Sequence, residues 1–152
     1  MSGGSLRLDD AIPGLEALDG IFELKVGVLE GATNTTTGQN IAAYAAANEF
    51  GVPGKIPARP AMGEALDANE AKYADGLGNL IMSGLDPEKA LGQLGEVVKA
   101  DMVKSIRSWD TPKNAESTVR QKLKKTGGRV GNAPLYETGA YVGSIASEVD
   151  KV

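Results

Sequence analysis

Over residues 21–29, apolar Phe22, Leu24, Val26 and Val28 alternate with Glu23, Lys25 and Gly27. A period of two is that of a strand with one buried face, so this segment is predicted as a strand. Further on the period lengthens. Leu91, Leu94, Val98, Met102 and Ile106 step by three or four and form one apolar stripe, which predicts a helix over 86–107. Asp86 suits its N-cap, Pro87 the first helical position, and Glu88 the positive end of the dipole.

The remaining elements are less regular. The alanine-rich residues 40–49 predict a helix capped by Asn40 and stopped near Gly51, with Pro53 close behind. Residues 63–83 predict another, with Leu66, Tyr73, Leu77, Leu80 and Ile81 on one face. Gly76 and Gly78 each weaken it by ~1 kcal/mol. A shorter basic helix is expected over 114–125, with Asn114 as cap and Gly127-Gly128 at its end. Residues 135–144 read as a last helical turn or two, and 145–149 as a short strand able to pair with 21–29.

Between these lie a loop at 30–40, with Gly31, Gly38 and three consecutive threonines, and an irregular connection at 51–63 bent by Pro53, Pro57 and Pro60. Residues 1–20 carry apolar positions at mixed spacing, interrupted by Pro13, and read either as a short helix or as a partner-docking arm. The expected fold is α+β: a small, mostly antiparallel sheet flanked by helices, with long loops. An extended N-terminal arm over 1–20 would precede a single domain over 21–152.

Composition narrows the chemistry. With 152 residues, 41% hydrophobic and 24% charged, the chain is the size of one globular domain. One Trp, four Tyr and two Phe leave the core mainly aliphatic. Twenty glycines imply many turns, or segments that order against a partner. The chain has no Cys and no His. Disulfides, thiolate chemistry and any Ser-His-Asp or Cys-His mechanism are therefore excluded within it. No apolar run approaches the ~20 residues of a membrane helix. Met1-Ser2-Gly3-Gly4-Ser5 lacks the basic and apolar regions of a signal peptide, so cytosolic synthesis is expected.

The net charge of −4 is unevenly spread. Residues 1–100 hold seven basic and fourteen acidic residues, against nine and six in 101–152. The basic segment is 104–129, with Lys104, Arg107, Lys113, Arg120, Lys122, Lys124, Lys125 and Arg129. It reads as a solvated face, or as a contact for an acidic partner or passing DNA. Only Trp109 is interleaved, which argues against base stacking.

Gly51-Val52-Pro53-Gly54-Lys55 is not a phosphate loop: the glycine spacing is wrong, Pro53 has no N–H, and Ile56 stands where Ser or Thr should bind magnesium. Gly76-Leu77-Gly78 lacks the third glycine and the preceding strand of a dinucleotide site. The carboxylate pairs Asp9-Asp10, Glu64-Asp67 and Asp86-Glu88 are explained by an arm, a helix first turn and a cap. No catalytic, metal or cofactor-binding residue is assigned, and the chain is expected to be non-enzymatic. Arg59, held between Pro57 and Pro60, presents a positioned fork suited to a carboxylate or to backbone carbonyls. It reads as a surface residue of the turn, or as a bridge inside the fold or across a subunit boundary with Glu49 as one partner. Trp109 reads as a buried cap, with an interface anchor as the alternative.

Asn48-Glu49-Phe50-Gly51 followed by Ile56-Pro57-Ala58-Arg59-Pro60 resembles the "NEFG…IPxRPF" segment of the tail-completion, neck and virion-morphogenesis proteins of tailed phages. Ala90-Leu91-Gly92, Gly95 and Ile106 follow in the family's order. Asn114-Ala115-Glu116-Ser117-Thr118 with Lys122 is similar to its "N-(A/S)-x-S-T-x-x-x-K". Pro134-Leu135, Thr138-Gly139 and Ser144-Ile145 are similar to its "PLxxTGxLxxSI". The ordered likeness spans about residues 25 to 149. It departs where Ala61-Met62 replaces a bulky apolar pair and where Tyr141 replaces Leu.

The resemblance implies an α+β structural subunit of a virion, forming a six-fold or twelve-fold homo-oligomeric ring at the head–tail junction or tail end. It further implies neighbouring connector, tail terminator or tail tube proteins as partners, and DNA crossing the lumen without sequence specificity. Its motif and interface candidates are Glu49, Phe50, Gly51, Pro57, Arg59, Pro60, Thr138 and Gly139. Arg120, Lys122, Lys124, Lys125 and Arg129 are the candidates for facing DNA or an acidic partner. The alternative is a non-catalytic binding module that uses the 104–129 segment.

Overall fold

The computed structural model describes residues 2–6, 21–29, 31–33, 38–126, 134–135 and 139–152. The elements run β1 (Ser2–Leu6), β2 (Phe22–Val28), α1 (Ile41–Phe50), α2 (Ala61–Met82), α3 (Pro87–Ser108), α4 (Glu116–Thr126), α5 (Ala140–Gly143) and β3 (Ile145–Lys151). This is the α+β class expected from the sequence.

The sheet has the order β1-β2-β3, and both pairings are antiparallel. The alternation in β2 sets its two faces. Leu24, Val26 and Val28 stand opposite Val149, Ser147 and Ile145, and all three β2 residues are buried. Glu23 and Lys25 stand opposite Asp150 and Glu148 on the other face. There the Lys25 Nζ donates to Asp150 Oδ2 at 2.6 Å, with Glu23 at 3.7 Å. Both segments read as strands are present, and the two ends of the domain share one sheet.

Helix α3 covers the apolar face. Its stripe, Leu91, Leu94, Val98, Met102 and Ile106, is buried throughout. Gly95 lets the helix lie close, since a Cβ there would fall 2.9 Å from Ser147 Cβ and 3.0 Å from Leu24 Cδ1. Asp86 caps the helix by accepting the N–H groups of Glu88 and Lys89 at 3.1 and 3.3 Å. Helix α2 runs back along α3, joined to it by residues 83–86. Asp101 clamps the pair, accepting from Lys72 Nζ and from the Tyr73 hydroxyl at 2.8 Å each. Tyr73 is fully buried, and burial with its donation to Asp101 raises its phenol pKa.

Some element boundaries differ from expectation. Helix α2 begins at Ala61 rather than 63, because Glu49 satisfies its first N–H groups. Helix α4 begins at Glu116, two residues beyond Asn114, whose Nδ2 is buried without a partner. The last helical turn expected within 135–144 is α5, entered through Gly139 at φ +81°; residues 136–138 lie outside the described residues. Within 1–20, Ser2–Leu6 is a strand of the sheet rather than part of a short helix; residues 7–20 lie outside the described residues. Among those described, no helix is long and apolar enough to cross a membrane.

Candidate functional site

The Asn48–Gly51 and Ile56–Pro60 segments meet at the corner between α1 and α2. Asn48, in the last turn of α1, is buried and donates its Nδ2 to the Tyr44 carbonyl at 2.9 Å. Its own carbonyl accepts the Arg59 backbone N–H at 2.6 Å. Gly51 ends α1 at φ +76°, where a Cβ would lie 2.8 Å from the Ala58 nitrogen. Glycine is therefore required twice, by the left-handed backbone and by the close crossing of the two segments.

Glu49 stands in the last turn of a helix, where a carboxylate opposes the dipole. Its partner is the next helix. Pro60 is the N-cap of α2 and offers no side-chain bond. Glu49 Oε1 accepts the Gly63 N–H at 2.7 Å and Oε2 the Met62 N–H at 3.2 Å. The Ala61 N–H goes to the Arg59 carbonyl at 2.8 Å, and Glu64 begins the helical ladder. Every first-turn donor of α2 thus has an acceptor, the condition for burying a helix end. Burial pushes the Glu49 carboxyl above its ordinary range, against the opposing pull of those two N–H groups.

Arg59 is only 6% exposed, so it is not a surface residue of the turn. Its Nε–H donates to the Pro112 carbonyl at 3.0 Å and Nη2 to the Lys113 carbonyl at 3.4 Å. Of the partners expected for its fork, Arg59 takes backbone carbonyls inside the fold rather than the Glu49 carboxylate, both of whose oxygens are engaged on α2. Burial lowers the guanidinium pKa, but Arg stays protonated in proteins. Just before this docked segment, Trp109 terminates α3 and packs against the core with its Nε1 buried and unpartnered. Trp109 is thus the C-cap of α3, packed against the core but half-buried rather than buried.

What this frame leaves outside is specific. Phe50 is 72% exposed. Beside it, residues 52–56 form a tight turn closed by Val52 N–H to Ile56 O at 2.8 Å and Ile56 N–H to Val52 O at 2.9 Å. Pro53, Gly54, Lys55 and Pro57 on it are exposed, and Pro60 is half-buried. The corner thus combines a buried, fully hydrogen-bonded base with an outward aromatic ring.

The basic segment divides. Arg120 and Lys124 of α4 are exposed, as are Lys104, Arg107 and Lys113. Lys122 is not available to an outside partner: it is 4% exposed, with Nζ donating to the Pro134 carbonyl at 3.4 Å. The Lys125 side chain, Arg129 and Thr138 lie outside the described residues, while Gly139 supplies the left-handed entry to α5. Of the residues in the third and fourth motifs, Lys122, Pro134, Leu135 and Ile145 are buried, while Ala115, Glu116 and Ser117 are exposed. Among the described residues no three acidic side chains gather where they could hold a metal ion.

Sequence reasoning missed the Glu49 cap and the exposure of Phe50. The first had a signal: an acid at a helix C-terminus, with a proline at the following helix's N-cap, leaves a charge and a set of donors each lacking a local partner. The second had no signal in the local pattern; Phe50 is named only through the resemblance, as one of its motif and interface candidates. Compared with known proteins, the chain matches no family model, and no curated protein or solved structure matches it significantly.

Proposed function

We propose that this chain is a non-enzymatic structural subunit of a tailed-phage virion, acting at the head–tail junction or in tail completion as one member of an oligomeric ring. The observation that carries the reading is the corner at residues 48–63. The residues that resemble the family's first segment join α1, α2 and the 112–113 backbone into one rigid unit, and they leave Phe50 exposed at its apex. A large ring carried outward on a hydrogen-bonded base suits an anchor for a neighbouring subunit, because little backbone entropy is lost on docking. Rings use two different patches per subunit, and the partners under this reading are further copies, connector, terminator or tube proteins, and DNA in transit.

The test is the solution mass across concentration for the wild type and for Phe50→Asp. A ring lost in the variant, with unfolding unchanged, supports the reading; equal assembly of both rejects Phe50 as its anchor.

A second reading, a binding module for DNA or an acidic protein, is favoured by the exposed Lys104, Arg107, Lys113, Arg120 and Lys124. It requires affinity that falls steeply with salt, measured by titration of a labelled duplex at two ionic strengths.

A further inference from the structure

The β1 position beside β2 must be filled. β2 is the central strand, paired with β3 on one edge and β1 on the other, and an open edge there would present a row of unpaired backbone N–H and C=O groups. The segment that fills it is Ser2-Gly3-Gly4-Ser5-Leu6, paired along its whole length with β2 and lying against α1 and α2. Two of its five residues are glycine, so it forms a strand because β2 offers a template rather than through its own propensity.

The link between the paired strands is unusual. An antiparallel neighbour can be joined by two to five residues, whereas residues 7–21 separate β1 from β2 here. Those fifteen residues reach roughly 50 Å when extended. A domain of this length has a radius of gyration of about 15 Å and spans roughly 40 Å. The link is long enough to carry β1 from one subunit to the β2 edge of an adjacent one.

We propose that in the assembled ring β1 is exchanged: the Ser2–Leu6 strand of each subunit pairs with β2 of its neighbour. This rests on the ring reading above and names one of its contacts. The strand makes the same ladder in either setting, so the choice turns on closure geometry and local concentration. Seating subunits side by side raises the neighbour's effective concentration to that of the chain's own strand. Exchange around a ring is heterologous and closes on itself, leaving no β2 edge unfilled.

The chain has no cysteine, which permits a clean test. Ser5 stands opposite Lys25, and opposed Cα atoms of antiparallel strands are about 4.5–5.5 Å apart, within disulfide range. Ser5→Cys and Lys25→Cys are prepared as separate proteins, unfolded together, refolded at assembling concentration, oxidised and run on a denaturing gel, with each protein oxidised alone as background. Exchange predicts that roughly half the chains run as covalent dimers at equal mixing, the share set by random neighbours. It also predicts a covalent ladder for the double variant S5C/K25C.

The proposal is overturned if the mixture gives no dimer above background while the double variant closes within single chains. Absence of any disulfide in both overturns it too, since β1 would not occupy the position at all. Light scattering on the same samples separates the two ideas. A ring with only intrachain disulfides rejects exchange and leaves the ring; exchanged chains in a closed pair reject the ring and keep exchange.

Discussion

The Arg59 Nε–H donates to the Pro112 carbonyl at 3.0 Å, joining the α1–α2 corner to the segment that follows α3. Two stretches far apart in sequence are held by one buried cation and two backbone oxygens. Removal of that side chain deprives both carbonyls of a charged donor and empties the buried site that Arg59 fills. Arg59→Ala is therefore expected to cost about 2–3 kcal/mol in urea unfolding, the range for hydrogen bonds to charged groups. Lys124→Ala, at an exposed site, should stay within about 0.5 kcal/mol. Assembly should weaken more in Arg59→Ala than in Lys124→Ala, because the corner that carries Phe50 loosens.

Gly51→Ala tests the crossing of residues 51 and 58. The new Cβ would meet the Ala58 nitrogen at 2.8 Å with φ at +76°. Strain of this kind costs on the order of 1–3 kcal/mol, read as a lower unfolding midpoint. Gly54→Ala is the control: its φ is +72°, but nothing lies within 4 Å of its Cβ, so only the backbone contribution should appear.

Glu49 should give a pH signature. Burial raises its folded-state pKa above the ordinary carboxylate value, with Glu64 adding a smaller push in the same direction. The folded protein therefore holds this proton more tightly than the unfolded chain. The resulting stability is fully present below the unfolded pKa and is lost as pH rises through the folded one. Glu49→Gln does not titrate. The stability difference between wild type and this variant should move in the variant's favour as pH rises from about 4 upward, measured by urea unfolding at a series of pH values. A constant difference would place Glu49 in solvent-like surroundings.

Gly95→Ala tests the helix-on-sheet contact. A Cβ 2.9 Å from Ser147 Cβ and 3.0 Å from Leu24 Cδ1 forces α3 away from the sheet, and overpacking of this type costs roughly 1–3 kcal/mol. Gly92→Ala, with nothing within 4 Å, should instead be neutral or stabilising by thermal unfolding.

Most of the fold was legible because it is written locally. The period of two in β2 and the stripe with its Asp86 cap in α3 needed no information from elsewhere, and β3 followed from its pairing with β2. What failed was non-local. Ser2–Leu6 has no strand pattern of its own and is selected by the β2 edge. Glu49, one partner considered for Arg59, instead caps the α2 N-terminus, and the Arg59 fork takes the 112–113 carbonyls, a kind of partner the sequence suggests without saying where it lies. Lys122 lay in a basic run that reads as solvated, yet its stem is buried and its amine reaches the Pro134 carbonyl.

The central claim is that an intact corner displays Phe50 to a neighbouring subunit. Its most direct test is light scattering of wild type and Phe50→Asp across a wide concentration range, with unfolding midpoints measured on the same samples. Because Phe50 is 72% exposed, the substitution should leave the midpoint unchanged at dilutions where both proteins are monomeric, while at higher concentration a closed ring in the wild type gives way to monomer in the variant. A wild type that stays monomeric at every concentration, alone and with a tail or connector fraction, would contradict the account.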